Sequence, residues 1–200
     1  MALNWVERGL INSPVRAWIQ RHYEARVLEA LGGRLDGQRV LEIGCGRGVG
    51  AEILLDKLGA GRIVAFDLDA SMVRPARQRL LARSVDLAAA DATAIPFIDR
   101  AFDAVVDFGI LHHVQDWRTA VAEVSRVLRG GGRFYFEEVT KRALDRWAYR
   151  TLFDHPTIDR FSTDEFVAEL GSNGITVDRT IHRFFGDFVI GVGVKRCSIS

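Results

Sequence analysis

Four glycines alternate along the stretch RVLEIGCGRGVGAEIL, at Gly44, Gly46, Gly48 and Gly50, where an apolar run enters a turn and then a helical pattern. Glycine at such a turn lets backbone approach a ligand closely, with helix N–H groups directed at it. About twenty residues further on, Asp67 ends the next apolar run, where a carboxylate can accept hydrogen bonds from both hydroxyls of a ribose. The other use for Asp67 is to cap the following helix, a role that Asp69 fits better. Dinucleotide sites share the turn and the acid, and their third small residue lets helix and sheet pack closely. Counted from Gly44 and Gly46, that third position is Val49, which argues against a dinucleotide.

Acid–base candidates cluster after the later apolar runs. His112 and His113 follow FDAVVDFGIL, where an acceptor at the carboxyl edge of a sheet could lose a proton to an imidazole. His113 is preferred over His112 as the base; the competing role for both is to shape the loop. Glu137 and Glu138 end RFYFEEV, either facing an acceptor or simply solvated. Tyr23 lies on a helical stretch, RHYEARVLEALG, that could close over the ligand or bury the ring in a core. Arg142, Trp147, Arg150, Phe153 and His155 could line a pocket for an anionic or aromatic compound, against a solvated helix face as the plainer use. Cys45 and Cys197 have no metal spacing, so no metal is expected.

The elements that must position these residues alternate. Residues 39–44, 62–67, 86–91, 102–109 and 133–139 read as strands, mostly apolar on successive residues, as strands covered on both faces are. Helical patterns fill 49–60, 70–83 (with Pro75 as a possible bend) and 116–132. That order predicts a doubly wound α/β domain. Residues 1–36 predict a helical cap with a start at Asn12–Ser13–Pro14. Residues 162–174 predict a helix with a Ser162/Glu165 capping box and a stop at Asn173–Gly174, followed by strand-like runs over 176–184 and 187–195. The expectation is one domain over 1–200: cap 1–36, ligand-binding core 37–140, substrate lid 141–161, and a C-terminal helix and strands over 162–200.

Bulk properties narrow the class. The 200 residues are 48% hydrophobic and 26% charged with a net charge of +1, so no global field favours nucleic acid or an anionic surface. The N-terminus lacks the apolar centre of a signal peptide and no run is long enough to span a bilayer, which predicts a cytoplasmic protein. Oligomeric state is not readable.

The glycine turn after the first strand, Asp67 after the second, AADATAIPF around Asp91 after the third, and FDAVVDFGILHHV with VLRGGGRFYF occur in one order. That set resembles class I S-adenosylmethionine-dependent methyltransferases over about residues 38–140. It is most similar to the small-molecule branch of ubiquinone/menaquinone-biosynthesis-like enzymes, methyltransferase type 11. The resemblance implies a Rossmann-like seven-stranded sheet, mostly parallel with an antiparallel last strand and helices on both faces. It further implies that backbone at Gly44, Cys45 and Gly46 passes the methionine part of S-adenosylmethionine while Glu42 orients its amino group. Asp67 would hold the ribose, Leu68 and Met72 would pack near the adenine, and Asp91 with the Ala92 N–H would bind the adenine edge. Phe108 would bring its backbone to the amino group. The expected reaction moves a methyl group to an oxygen or carbon of a small-molecule acceptor and leaves S-adenosylhomocysteine. DFGI stands where amino-group and base methylators carry an Asn/Asp–Pro–Pro–aromatic motif, and nucleic acid is not expected as a partner. An NAD(P)-dependent oxidoreductase, a non-catalytic S-adenosylmethionine-binding protein and a macromolecule methylator are the alternatives.

Overall fold

The computed structural model describes residues 13–145 and 159–197. Ser13 caps the first helix by accepting a hydrogen bond from the Arg16 N–H, and Pro14 occupies the first helical position. This helix, α1 (Pro14–Ile19), runs through a π-helical turn (Gln20–Glu24) into α2 (Ala25–Gly32). Of the predicted cap, residues 1–12 lie outside the described residues.

The core follows as β1 (Arg39–Ile43), α3 (Val49–Asp56), β2 (Arg62–Asp67), α4 (Ala70–Arg79), β3 (Val85–Ala89) and β4 (Phe102–Phe108). A 3-10 turn (Leu111–His113), α5 (Trp117–Val127), β5 (Leu128–Val139) and α6 (Lys141–Leu144) come next. After the undescribed residues come α7 (Thr163–Ser172), β6 (Ile175–Arg183), a turn (Phe184–Gly186) and β7 (Phe188–Lys195). The sheet has seven strands in the order β3-β2-β1-β4-β5-β7-β6. Pairs among β1 to β5 are parallel, and β7 is antiparallel to both of its neighbours. Strand order reverses between β1 and β4, so their carboxyl ends open the crevice where ligands of such sheets bind. No helix among the described residues is long and apolar enough to cross a membrane.

Side-chain alternation splits the core into two layers. Leu41, Ile43, Val64, Phe66, Val105, Phe134 and Phe136 face α5 and α7, against Trp117, Val121, Val124, Phe166 and Leu170. Val40, Ile63, Ala65, Ala104, Val106 and Tyr135 face the other way, onto Leu28, Ala51, Ile53, Leu54 and Ala76. Each large side chain so buried contributes about 1.5–3 kcal/mol.

Several boundaries differ from the sequence reading. The predicted helix over 116–132 ends at Val127, and its glycine run belongs to β5 as a bulge. Phe102 pairs with Leu128 but Ala104 with Arg133. A Cβ at Gly132 would stand 2.8 Å from the Arg129 carbonyl, so only glycine fits the bulge. Helix α3 stops at Asp56, short of Gly59, and Pro75 lies inside α4. The capping box at Ser162 and Glu165 is formed as expected.

Candidate active site

The glycine turn joins β1 to α3 at the crevice. Gly46 has φ +49° with open space where a Cβ would project, which keeps one side of the turn clear for a ligand. Gly50, in the first turn of α3, exists for the opposite reason: a Cβ there would collide with the Glu42 carboxylate and the Phe108 ring. Glu42 is buried, and its Oε2 has no hydrogen-bond partner. Burial, reinforced by the charges of Asp67 and Asp107, pushes its carboxyl well above the usual range. Cys45 is buried beside it, its thiol raised by desolvation into an unreactive state.

Asp67 closes β2 against the turn. Its Oδ2 accepts the Gly46 N–H at 2.8 Å and its Oδ1 the Asp69 N–H at 2.9 Å. Asp69 itself caps α4 by accepting the Ser71 N–H. Leu68 next to Asp67 is 62% exposed, a large apolar side chain at the crevice mouth. Met72 is half-buried in the first turn of α4. Asp91 is exposed, with its Oδ1 taken by the Thr93 N–H and hydroxyl, and Ala92 is buried. Phe108 is the last residue of β4, inside the predicted strand, and its register partner on β5 is Glu137.

Across the crevice a buried polar group forms around the 3-10 turn. His112 Nδ1 lies 2.6 Å from Glu138 Oε2, and Glu138 also accepts the Leu111 N–H at 2.7 Å. Burial pushes the His112 imidazole down to about 4 and the Glu138 carboxyl up to about 6, so at pH 7 a neutral imidazole donates its Nδ1 hydrogen to a carboxylate. Asp107 stands behind them, its carboxyl raised by burial and by the Glu138 charge, while its Oδ1 accepts the Gly109 and Ile110 N–H groups. His112 faces a small space bounded by Val114, Trp117, Val139, Leu144 and Phe161. His113 is half-buried, its ring centroid 4.1 Å from that of His112. The structure therefore gives the carboxylate partner to His112, whereas the sequence favoured His113.

Glu137 and Glu138 are buried at 8% and 0% exposure, which overturns the solvated strand end as a reading of either. They point to opposite faces of β5. Glu137 meets the N-terminal helix, where Arg16 pairs with Glu24 and stands 3.6 Å from Glu137. Burial and then the Glu24 charge raise the Glu137 carboxyl, and Arg16 opposes them. Tyr23 is 37% exposed with the Arg183 guanidinium 5.1 Å over its ring, so its π-helical turn buries Glu24 instead. Arg142 is exposed beside Asp187 at 4.0 Å. Trp147, Arg150, Phe153 and His155 lie outside the described residues.

A sequence family described as a methyltransferase domain matches residues 41–136. Those residues form a class I S-adenosylmethionine-dependent methyltransferase domain. The chain is 35% identical over 145 residues to a demethylmenaquinone methyltransferase of Renibacterium salmoninarum, covering 72% of this chain and 52% of that one. It is 33% identical over 123 residues to a fatty-acid O-methyltransferase of Mycolicibacterium smegmatis, covering 61% and 44%. The chain thus spans about half the length of the curated relatives it matches. An S-adenosylmethionine-dependent methyltransferase structure from Mesorhizobium loti shares the fold, with TM-score 0.73 at 16% identity over 85% of this chain and 96% of that one.

The methyltransferase domain fits its cofactor on observations of its own. A buried oxygen of Glu42 lacks a hydrogen-bond donor, which an ammonium group supplies. The space over Gly46 and the exposed Leu68 suit a thioether chain and an aromatic base. Glycine spacing and strand-end acids are what marked this crevice as the candidate cofactor site in the sequence. The partners Arg16, Glu24 and Asp107 were missed, because a lone charge in an apolar or helical run signals nothing until the fold supplies its neighbour.

Proposed function

We propose that the chain transfers the methyl group of S-adenosylmethionine to an oxygen or carbon atom of a small hydrophobic acceptor, as one domain whose N-terminal helix and 141–161 segment flank the acceptor. Relatives named for a quinone and a fatty acid support the acceptor class. Glu42 and the backbone at Gly44, Cys45 and Gly46 hold the amino-acid part, with the Phe108 backbone beside it. Asp67 holds the ribose, Leu68 and Met72 pack on the base, and Asp91 and Ala92 bind its edge. The bound cofactor supplies an electrophilic methyl on a sulfonium. Tyr23 and Arg142 stand on the acceptor side in this reading, with Trp147, Arg150 and His155 as further candidates there.

The observation that carries the chemistry is the buried His112–Glu138 pair. With the Nδ1 hydrogen on Glu138, Nε2 is the imidazole atom that takes the acceptor's proton, and the carboxylate then steadies the imidazolium. His113 supports the ring of His112 from the side. The test pairs calorimetry with S-adenosylhomocysteine, NAD and NADP with transfer of labelled methyl to a panel of quinols and fatty acids. Binding of S-adenosylhomocysteine alone is expected, and His112→Gln should lower turnover about 10²-fold or more while that affinity is kept. Preference for NAD would remove the methyl-transfer reading; wild-type turnover in H112Q would remove the base.

A further inference from the structure

Among the described residues, the turn between β6 and β7 stands out at the crevice edge. Phe184 and Phe185 are 72% and 87% exposed, and both have positive φ, +49° and +61°. A bulky aromatic residue gains nothing from solvent and is strained in the left-handed region, so two in succession call for a use. Thr140, at the end of β5, ties the turn down: its hydroxyl donates to the Gly186 carbonyl at 2.7 Å and its N–H to the Asp187 carbonyl at 2.9 Å. The turn is therefore held at the carboxyl edge of the sheet, the edge that carries Glu138 and the cofactor crevice.

Its surroundings are cationic and aromatic. Lys141, Arg142 and Arg183 are exposed around it. Arg183 lies over Tyr23, which connects the turn to the outer face of the N-terminal helix. That face exposes Val15 at 67% and Trp18 at 62%, one helical turn apart. Of the carboxylates about this rim, Asp187, Glu137 and Glu24 are buried, whereas Asp145 and Glu165 are exposed near Lys141 and offset it, so the outward positive charge is that of Arg142 and Arg183. Aromatic side chains at the tip and cations behind them complement a surface with an apolar interior and anionic headgroups.

We propose that the Phe184–Phe185 turn and Trp18, backed by Arg142 and Arg183, dock the domain on an anionic lipid bilayer with the crevice edge facing the lipid. The proposal rests on the hydrophobic-acceptor reading: an acceptor dissolved in a bilayer reaches the site without crossing water.

The experiment is sedimentation of the full chain with vesicles of phosphatidylglycerol and phosphatidylcholine, and with phosphatidylcholine alone. Wild type should sediment with the mixed vesicles, bind phosphatidylcholine less, and detach as salt rises. Phe184→Gly with Phe185→Gly should lower the apparent affinity about tenfold or more, from the apolar area withdrawn. Glycine suits both positive φ values, so the variant keeps its fold, which unchanged S-adenosylhomocysteine affinity verifies. Arg142→Gln with Arg183→Gln should remove the preference for phosphatidylglycerol. Equal sedimentation of wild type and the glycine variant overturns the proposal. So does a wild-type dimer in light scattering that ignores vesicles and is lost in the variant, because the rim then covers a second copy. Failure of S-adenosylhomocysteine to bind wild type would sink the methyl-transfer reading separately, since vesicle binding is read without cofactor.

Discussion

At the scale of single residues, the two sides of the crevice use burial in opposite ways. Glu42 is held above the usual carboxylate range by desolvation and by Asp67. An ammonium placed on its orphan oxygen favours the anion, so S-adenosylhomocysteine binding should lower this raised carboxyl and release whatever proton it holds. Calorimetry in buffers of different ionisation enthalpy reads that release, and Glu42→Gln should abolish it. Asp67 already accepts two backbone N–H groups, and in the proposed site ribose hydroxyls would add charged hydrogen bonds worth about 1.5–3 kcal/mol each. Asp67→Ala should therefore weaken binding at least about tenfold by the same arithmetic. On the other side, the Glu138 carboxyl is raised to about 6, and turnover should follow its ionisation. As pH falls through about 6, Glu138 takes a proton and ceases to receive the His112 Nδ1 hydrogen, so kcat should fall on the acid side. Glu138→Gln should lower kcat and erase that acid limb. A limb that persists in E138Q would assign it to another group.

At the scale of elements, the N-terminal helix is fastened to the sheet by charge as well as by apolar contact. Arg16 reaches Glu24 on its own helical run and Glu137 on β5, which brings two carboxylates together beneath one guanidinium. Removing the cation leaves that pair buried and mutually repelling, and breaking such contacts costs about 3–5 kcal/mol when fully buried. The Arg16 side chain is a quarter exposed, so Arg16→Met should cost less, about 1–3 kcal/mol in urea unfolding. Adding Glu137→Gln to R16M should recover part of the loss, because the neutral amide removes the repulsion; a purely apolar role for Arg16 would give additive losses. None of this was visible in the sequence. Arg16, Glu24 and Glu137 are separated by stretches whose patterns belong to other elements, and the long-range approach of β5 to the first helix is what joins them. By contrast, Ser13–Pro14, Asp69 and Ser162 with Glu165 were legible, because capping is settled within four residues of chain.

At the scale of the whole molecule, legibility follows the same rule of distance. Alternating apolar runs predicted the order of strands and helices, and short-range turn chemistry marked the cofactor crevice. The partner of His112 was not predictable, since which of Glu137 and Glu138 faces it depends on the pleat of β5 relative to β4. The β5 bulge at Gly130–Gly132 separates the Leu128 and Arg133 pairings with β4. Both halves of the site then hang on one sheet edge, with Glu42 and Asp67 from β1 and β2 and Glu138 from β5. A ligand that bridges strand ends on both sides of the switch point stabilises the native chain as a unit. S-adenosylhomocysteine at a hundred times its dissociation constant should add about 2.7 kcal/mol by mass action. For a chain of this length that raises the unfolding midpoint by roughly 5–10 °C in calorimetric scans. D67A should lose about half of that shift or more at the same ligand concentration, while H112Q, on the acceptor side, should retain it. If both variants lost the shift together, the two sides of the crevice would form one binding unit, and His112 would belong to cofactor retention instead of proton transfer.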